Sequence, residues 1–538
     1  MFARDNGPVR WQLYLGFFAL FLGIVMGLLQ AVDRANIDLY TTVGLQSYWQ
    51  GLTLHGVLNV LVFTFAFNGA FLTYVTSRSL GRPMAIPLLS QLQFWLMFVG
   101  VAMAAVVLLM GKATVLFTFY APLWASPIFY LGLVLVVLST WVTLANIATS
   151  VQAWRRDNPG KKVPLQAFMS LAVYLMWTLC SVGVAVEVLA LLLPWSIGLV
   201  PYVDPQLSRT FFWLSGHAIV YFWLLPIYIS WYTMLPAQVG GKLSSDPLAR
   251  FVFLLFIVFS IPVGLHHQYT DPGVPVAFKY IQAILTFAVF FPSIITAFTV
   301  ISALESGGRA RGGKGLLAWI FKLPWGDPSV AAQLLAGLAF MAGGISGLVN
   351  ASYNINLVVH NTAFIPGHFH LTVGTAVTLS IIGIAFWLIP ALTGRKLWSN
   401  KMALASVWGW IIGVSIMSRG MSMAGQLGEP RRFYASASAY HLASWDFPNL
   451  LQAIGGTIMF VGGILFFVVL VGTLFFSKER VEVKMPMAEV VVSAEKGAPI
   501  FTDKIYTWVG ISVALILLSY GPYLVTYLAN PSFVSPPR

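Results

Sequence analysis

Runs of about 20 to 30 predominantly apolar residues recur along this chain between short polar connections. That is the length an α-helix needs to cross a hydrocarbon layer roughly 30 Å thick. Thirteen such runs lie near residues 11–32, 52–76, 86–110, 126–152, 165–193, 207–235, 249–267, 277–304, 331–351, 368–392, 401–425, 449–476 and 506–527. The pattern predicts an all-α, polytopic membrane protein of about 13 transmembrane helices. The seventh run is the shortest. Residues 1–10 are polar and mildly basic, and the run after them is too long for a signal-peptide core and lacks a small-residue cleavage site, so it reads as the first span. The longest polar connection, about 477–505, carries mixed charge and reads as a surface loop. With no clear repeat, low-complexity tract or soluble insert, residues 1–538 read as a single integral-membrane domain. Its core helices lie at about 11–476 and an extra C-terminal helix at about 506–527.

Composition agrees. Of 538 residues, 58% are hydrophobic and 9% charged, against roughly 25% charged in a soluble domain, and mean hydropathy is +0.82. The single cysteine, Cys180, excludes an internal disulfide and thiolate metal clusters. The net charge of +13 is a matter of topology rather than of nucleic acid. The N-terminus and the loops after even-numbered spans hold about 22 of the 30 Lys and Arg residues, among them Arg155, Arg156, Lys161 and Lys162. The opposite loops hold about 6, among them Arg34, Lys112, Arg431 and Arg432. The positive-inside rule then places the N-terminus in the cytoplasm and the C-terminus outside.

In that frame six of the eight histidines fall at one depth, in the outer part of the membrane. His55 sits just inside the outer end of span 2, and His217 about ten residues into span 6. His266 and His267 close span 7, and His368 and His370 open span 10. One such histidine is an ordinary polar group near a helix end. Six from four spans are costly in a bilayer and point to function, and imidazole is the commonest side-chain metal ligand. Adjacent residues on a helix diverge by about 100°, so His266 and His267 can both reach one ion, and His217 completes a three-imidazole site suited to copper, zinc or iron. His368 and His370, two residues apart, point to opposite flanks and suit two haem irons. His55 could be the second axial ligand of one, leaving the other open toward the three-histidine metal.

The sequence around these residues resembles the catalytic subunit I of the haem–copper oxidase superfamily over nearly its whole length. It carries His55-Gly56-Val57-Leu58-Asn59, Gly216-His217-Ala218-Ile219-Val220-Tyr221, His266-His267-Gln268 and Pro366-Gly367-His368-Phe369-His370. The resemblance implies that His55 and His370 are axial ligands of a low-spin haem and His368 of a high-spin haem. It makes His217, His266 and His267 the ligands of copper (Cu B). It further implies a covalent link between His217 and Tyr221, whose i, i+4 spacing places both on one helical face, and a donor role for Tyr221 when the O–O bond breaks. Ile219 stands where the mitochondrial-type members have Glu, the loop 76–82 has no acid, and span 8 has no interior lysine. This pattern resembles the B-type (cytochrome ba3-like) cytochrome c oxidases, as do the stretch Tyr48–His55 and Asn350-Ala351-Ser352.

The B-type resemblance implies a proton path. Tyr221, Tyr228 and Tyr232 follow one stripe of span 6 toward the cytoplasm, opposite Thr286, Ser293, Thr296 and Thr299 of span 8. At the outer rim, Arg431 and Arg432 suit the carboxylates of haem propionates, with His360 and Asn361 beside them. Asn356 occupies a place where B-type relatives tend to carry Asp, and Glu187 is a weaker candidate for proton exit or packing. The cofactors so implied are a low-spin haem b, a high-spin A-type haem and one copper ion. The chain has no two-cysteine copper site, so a subunit II with a dinuclear copper site is expected to bring electrons from cytochrome c; the sequence itself does not separate that donor from quinol. A small third transmembrane subunit and membrane lipid are further expected partners. The expected reaction reduces dioxygen to water in a bacterial or archaeal cytoplasmic membrane, with protons taken from the cytoplasm and pumped. A nitric oxide reductase-type member of the superfamily would carry Glu in place of Tyr221. A haem-bearing transporter would have no need of six histidines at one depth, and would show broken helices or inverted repeats.

Overall fold

The structure is a computed structural model that describes residues 2–497 and 499–530. Twelve helices in it are long and apolar enough to cross a membrane. With the shorter seventh they are α1 (Ala3–Asp33), α2 (Tyr48–Ser79), α3 (Pro87–Leu109), α4 (Pro127–Asp157), α5 (Leu165–Ser196), α6 (Pro205–Gln238), α7 (Asp246–Phe259), α8 (Val276–Ala310), α9 (Pro328–Ala351), α10 (Phe364–Thr393), α11 (Asn400–Gln426), α12 (Ala443–Phe476) and α13 (Ile505–Ala529).

Their starts are written in the chain. Proline, which needs no helical donor in the first turn, opens α3, α4, α6, α7 and α9. Asp204 and Asp327 cap α6 and α9, each accepting two first-turn N–H groups, while Ser245 and Ser399 cap α7 and α11. Gly394, with φ of +66°, ends α10 in the left-handed turn that suits glycine. Small residues then set helix separation. A Cβ on Gly413 would come within 2.3 Å of the Met459 backbone, so α11 and α12 approach as only glycine allows.

Burial ranks the helices. In α10, 94% of the most apolar window is buried, and in α2 and α6 83%, against 28% in α8 and 22% in α13. The three helices that carry His55, His217, His368 and His370 are therefore central, and the others insulate them from lipid.

The structure departs from the sequence reading in three places. The seventh span is not a continuous helix over 249–267. It stops at Phe259, and His266 and His267 lie on a separate tight turn, Gly264–Gln268. Pro262 explains the stop, because it has no N–H for a helical ladder and its ring collides with the preceding turn. The surface loop 477–505 is also tethered: Val490–Val492 pairs in parallel with Leu243–Ser245. Finally, α2, α5, α10 and α12 each contain a wide π-helical turn, at Val57–Phe63, Glu187–Leu192, Thr372–Val377 and Gly472–Phe476. Hydropathy carries no signal for these turns.

Candidate functional site

The six histidines converge. On one side of α10, the rings of His370 and His55 face one another with centroids 6.2 Å apart and planes 17° from parallel. Two metal–nitrogen bonds of about 2 Å plus two ring radii span such a gap. His55 Nδ1 meets the Gly23 carbonyl at 2.8 Å, and His370 Nδ1 the Pro366 carbonyl at 2.8 Å. Each ring thus donates from Nδ1 and keeps Nε2 for a ligand, the arrangement typical of metal-binding histidine. The π-helical turns at 57–63 and 372–377 begin within two residues of His55 and His370. Such a turn holds one extra residue and re-aims the side chains around it.

On the other side, His368 Nδ1 is held by the Gly343 carbonyl at 3.0 Å and Ser346 Oγ at 2.9 Å, both on α9. That ring lines a cavity shared with His217, His266 and His267. Three glycines, Gly343, Gly344 and Gly347, open the α9 wall of the cavity: a Cβ on Gly347 would lie 3.3 Å from His368 Cε1, and one on Gly344 would meet nothing nearer than Phe290 at 3.9 Å. A flat ring system fits a slot so lined.

Across the cavity, ligand-capable atoms of His217, His266 and His267 lie within 4.8 Å of one another. His217 Nδ1 and His267 Nε2 face each other at 3.2 Å, and His266 Nδ1 meets Thr286 Oγ1 at 2.9 Å. His217 Nε2 is buried without a hydrogen-bond partner. Leaving such an atom unpaired costs about 1–3 kcal/mol, so a three-imidazole donor set of this kind fits a copper ion. Tyr221, one turn along from His217, brings its ring within 5.0 Å of that imidazole. The 3-10 turn replaces the expected helical 100° divergence of His266 and His267 with rings 4.2 Å apart and tilted by 40°.

The hydroxyls expected on α6 and α8 do face each other. Tyr228 donates to Ser293 at 3.4 Å and Tyr232 to Thr296 at 3.0 Å. Thr299 also lies within hydrogen-bonding reach of Tyr232. Thr286 brings the line up to His266.

The rim above the histidines is assembled by pairing 361–363 with 429–431. Ala363 N donates to the Glu429 carbonyl and Arg431 N to the Asn361 carbonyl, both at 2.8 Å. Asn361 and Arg432 both adopt positive φ, +59° and +58°, a conformation Asn accepts more readily than most residues. Arg431 and His360 line the same cavity as His368. Burial, and then the neighbouring Arg432, press the Arg431 guanidinium down to about 9. His360 is likewise pushed down to about 4 by burial and by Arg431. Two half-buried cations side by side are relieved by a carboxylate, which haem propionates would supply. His360 Nδ1 pairs with Asn356 Oδ1 at 2.7 Å, and its Nε2 is a buried atom without a partner. Glu187 does not join the cluster; it accepts from Ser208 at 2.8 Å and ties α5 to α6.

Sequence reasoning missed Trp213, which stacks on His267 at 3.9 Å with planes 11° apart. Its position four residues before His217, on the same helical face, is the signal that could have found it.

The chain matches the protein family described as cytochrome c and quinol oxidase polypeptide I over residues 7–458. Cytochrome c oxidase subunit 1 of Thermus thermophilus is 45% identical over 535 residues, 97% of this chain and 94% of that protein. A probable quinol oxidase subunit 1 of Staphylococcus haemolyticus is 24% identical over 493 residues, 85% of this chain and 69% of the relative. Among solved structures, a haem–copper terminal oxidase dimer seen by cryo-electron microscopy superposes with a TM-score of 0.93 at 37% identity, covering 100% of this chain and 95% of that one.

Proposed function

Because the chain belongs to the family of cytochrome c and quinol oxidase polypeptide I, the catalytic subunits of haem–copper oxidases, we propose that its six clustered histidines carry two haems and one copper. The enzyme is a cytochrome c oxidase, a multi-pass respiratory terminal oxidase that reduces dioxygen to water. The observation that carries the site assignment is the convergence of two opposed imidazoles, one lone imidazole and a three-imidazole set on the two flanks of one helix. In this reading His55 and His370 hold the low-spin haem, His368 the high-spin haem, and His217, His266 and His267 the copper. The low-spin haem is of b type and the high-spin haem of A type, as in B-type members. When bound, these groups supply electron transfer and the binding of dioxygen.

The chain's own residues do the rest. Tyr221 holds a proton beside His217, at the place where dioxygen is reduced. The pairs Tyr228–Ser293 and Tyr232–Thr296 step protons toward it from the cytoplasmic side over roughly 16 Å of helix. Arg431, Arg432, His360 and Asn361 hold the propionates and screen their charge. The N-terminus is cytoplasmic and the C-terminus outside, and all 538 residues form one catalytic unit. A subunit II with a dinuclear copper site passes electrons from cytochrome c, a small third transmembrane subunit completes the complex, and part of the proton flow is pumped across the bacterial or archaeal cytoplasmic membrane.

The test is oxygen uptake by the purified complex with reduced cytochrome c. Tyr221→Phe is expected to retain both haem spectra and to lose turnover by about 10²-fold or more, the scale of a lost proton-transfer group. Unchanged turnover would remove Tyr221 from the reaction. A reductase of nitric oxide is disfavoured because Tyr221 stands where that relative would carry Glu.

A further inference from the structure

The last helix does not simply lean on the bundle. Its buried stripe, Ser512, Ser519, Tyr520, Tyr523 and Tyr527, is rich in hydroxyls. Four of them bond to the turn 264–268, to the end of α7 that precedes it, and to the start of the helix that bears His217. Tyr520 Oη accepts from Gly264 N at 2.8 Å, two residues before His266. Ser512 donates to the Ile257 carbonyl at 2.7 Å, near the end of α7. Tyr527 donates to Asp204 at 2.8 Å, the residue that caps the helix bearing His217. Tyr523 Oη adds Gln206 and Thr210 of that helix, each at 3.3 Å.

The need for such support follows from the break at Pro262. It leaves the turn 264–268 outside any helical ladder, and a buried backbone N–H there must find another partner. Gly264 finds Tyr520 Oη, and Leu265 N finds Gln282 Oε1 at 2.6 Å. Leu265 packs with Tyr520, Tyr523 and Tyr527 in a core cluster separate from the main one. Gly264 is wedged between the Trp213 carbonyl and Tyr520 Oη, where a Cβ would stand 1.9 Å and 2.5 Å from them. Trp213 in turn stacks on His267.

We propose that α13 is a positioning element for the three-histidine site, with the Tyr520 hydroxyl fixing the turn that presents His266 and His267. The proposal rests on the reading of that site as a copper site. Tyr520 is a positioning residue, since it acts through Gly264 and Gln282 rather than on the site itself.

The test measures loss of copper from the reduced, purified complex to a Cu(I) chelator. Tyr520→Phe keeps the ring and removes the hydroxyl. Copper loss is expected to quicken about tenfold, the scale seen when a residue supporting a metal ligand is removed, while the low-spin haem spectrum is unchanged. Tyr523→Phe, which loosens α13 from α6 alone, is expected to quicken it less. Tyr506→Phe, on the outward side of α13 at 72% exposure, should match the unaltered complex. Loss at the unaltered rate in both Tyr520→Phe and Tyr523→Phe would overturn the positioning role. An unaltered complex with no copper in this subunit would overturn the metal reading beneath it.

Discussion

At His55 the functional choice is made by the nitrogen that faces away from His370. Nδ1 is committed to the Gly23 carbonyl, which fixes the tautomer and aims Nε2 across the 6.2 Å gap between rings. The ring edge is packed as tightly as its nitrogen is held. A Cβ on Gly27 would sit 2.9 Å from His55 Cε1, closer than real contacts allow. Gly27→Ala should therefore tilt this ring and broaden or shift the low-spin haem band in a reduced-minus-oxidised spectrum, with copper content unchanged. A spectrum identical to that of the unaltered protein would sink the assignment of His55. The six histidines and Tyr221 were legible because a titratable group inside a bilayer is rare enough to be informative. Gly23, Ser346 and Trp213 were not, since glycine, serine and tryptophan occur all along the membrane helices and only contact distances single these out.

Among the elements, helical offsets put the hydroxyls of α6 and of α8 each on one stripe, because i+4 and i+7 steps share a face, while the B-type resemblance is what reads them as one path. Thr296 is its most testable member, accepting from Tyr232 at 3.0 Å while donating to the Pro292 carbonyl at 2.9 Å. Thr296→Val keeps the shape and removes the hydroxyl. Oxygen turnover should fall about tenfold, equivalent to roughly 1.4 kcal/mol on the limiting step, with haem and copper content intact. Turnover at the original rate would remove this line as the proton path. The broken α7 was half legible. Pro262 marks the stop, but nothing in hydropathy says that the residues after it fold into a turn braced by a helix some 250 positions later. The π-helical turns beside His55 and His370 were not legible at all, for an inserted residue changes the phase of a helix without changing its composition.

For the whole molecule, the passes and their order were read from apolar run length, and the asymmetry of Lys and Arg proposes the direction. That direction is testable with cysteine chemistry, because the native Cys180 is buried. A cysteine placed at Arg4 should react with an impermeant thiol reagent only from the cytoplasmic face, and one placed at Tyr440 only from the outside. The reverse pattern would invert the proton path and exclude uptake from within. Why α13 is there was beyond the sequence: its apolar run reads like any other span, and its purpose shows only in the tyrosines it turns inward. The measurement that bears most directly on the whole assignment is metal and haem analysis of the purified complex, with a reduced-minus-oxidised spectrum and the partner subunit's copper counted separately. Two haems and one copper per copy of this chain are expected; two haems with additional iron and no copper would contradict an oxidase site built on His217, His266 and His267.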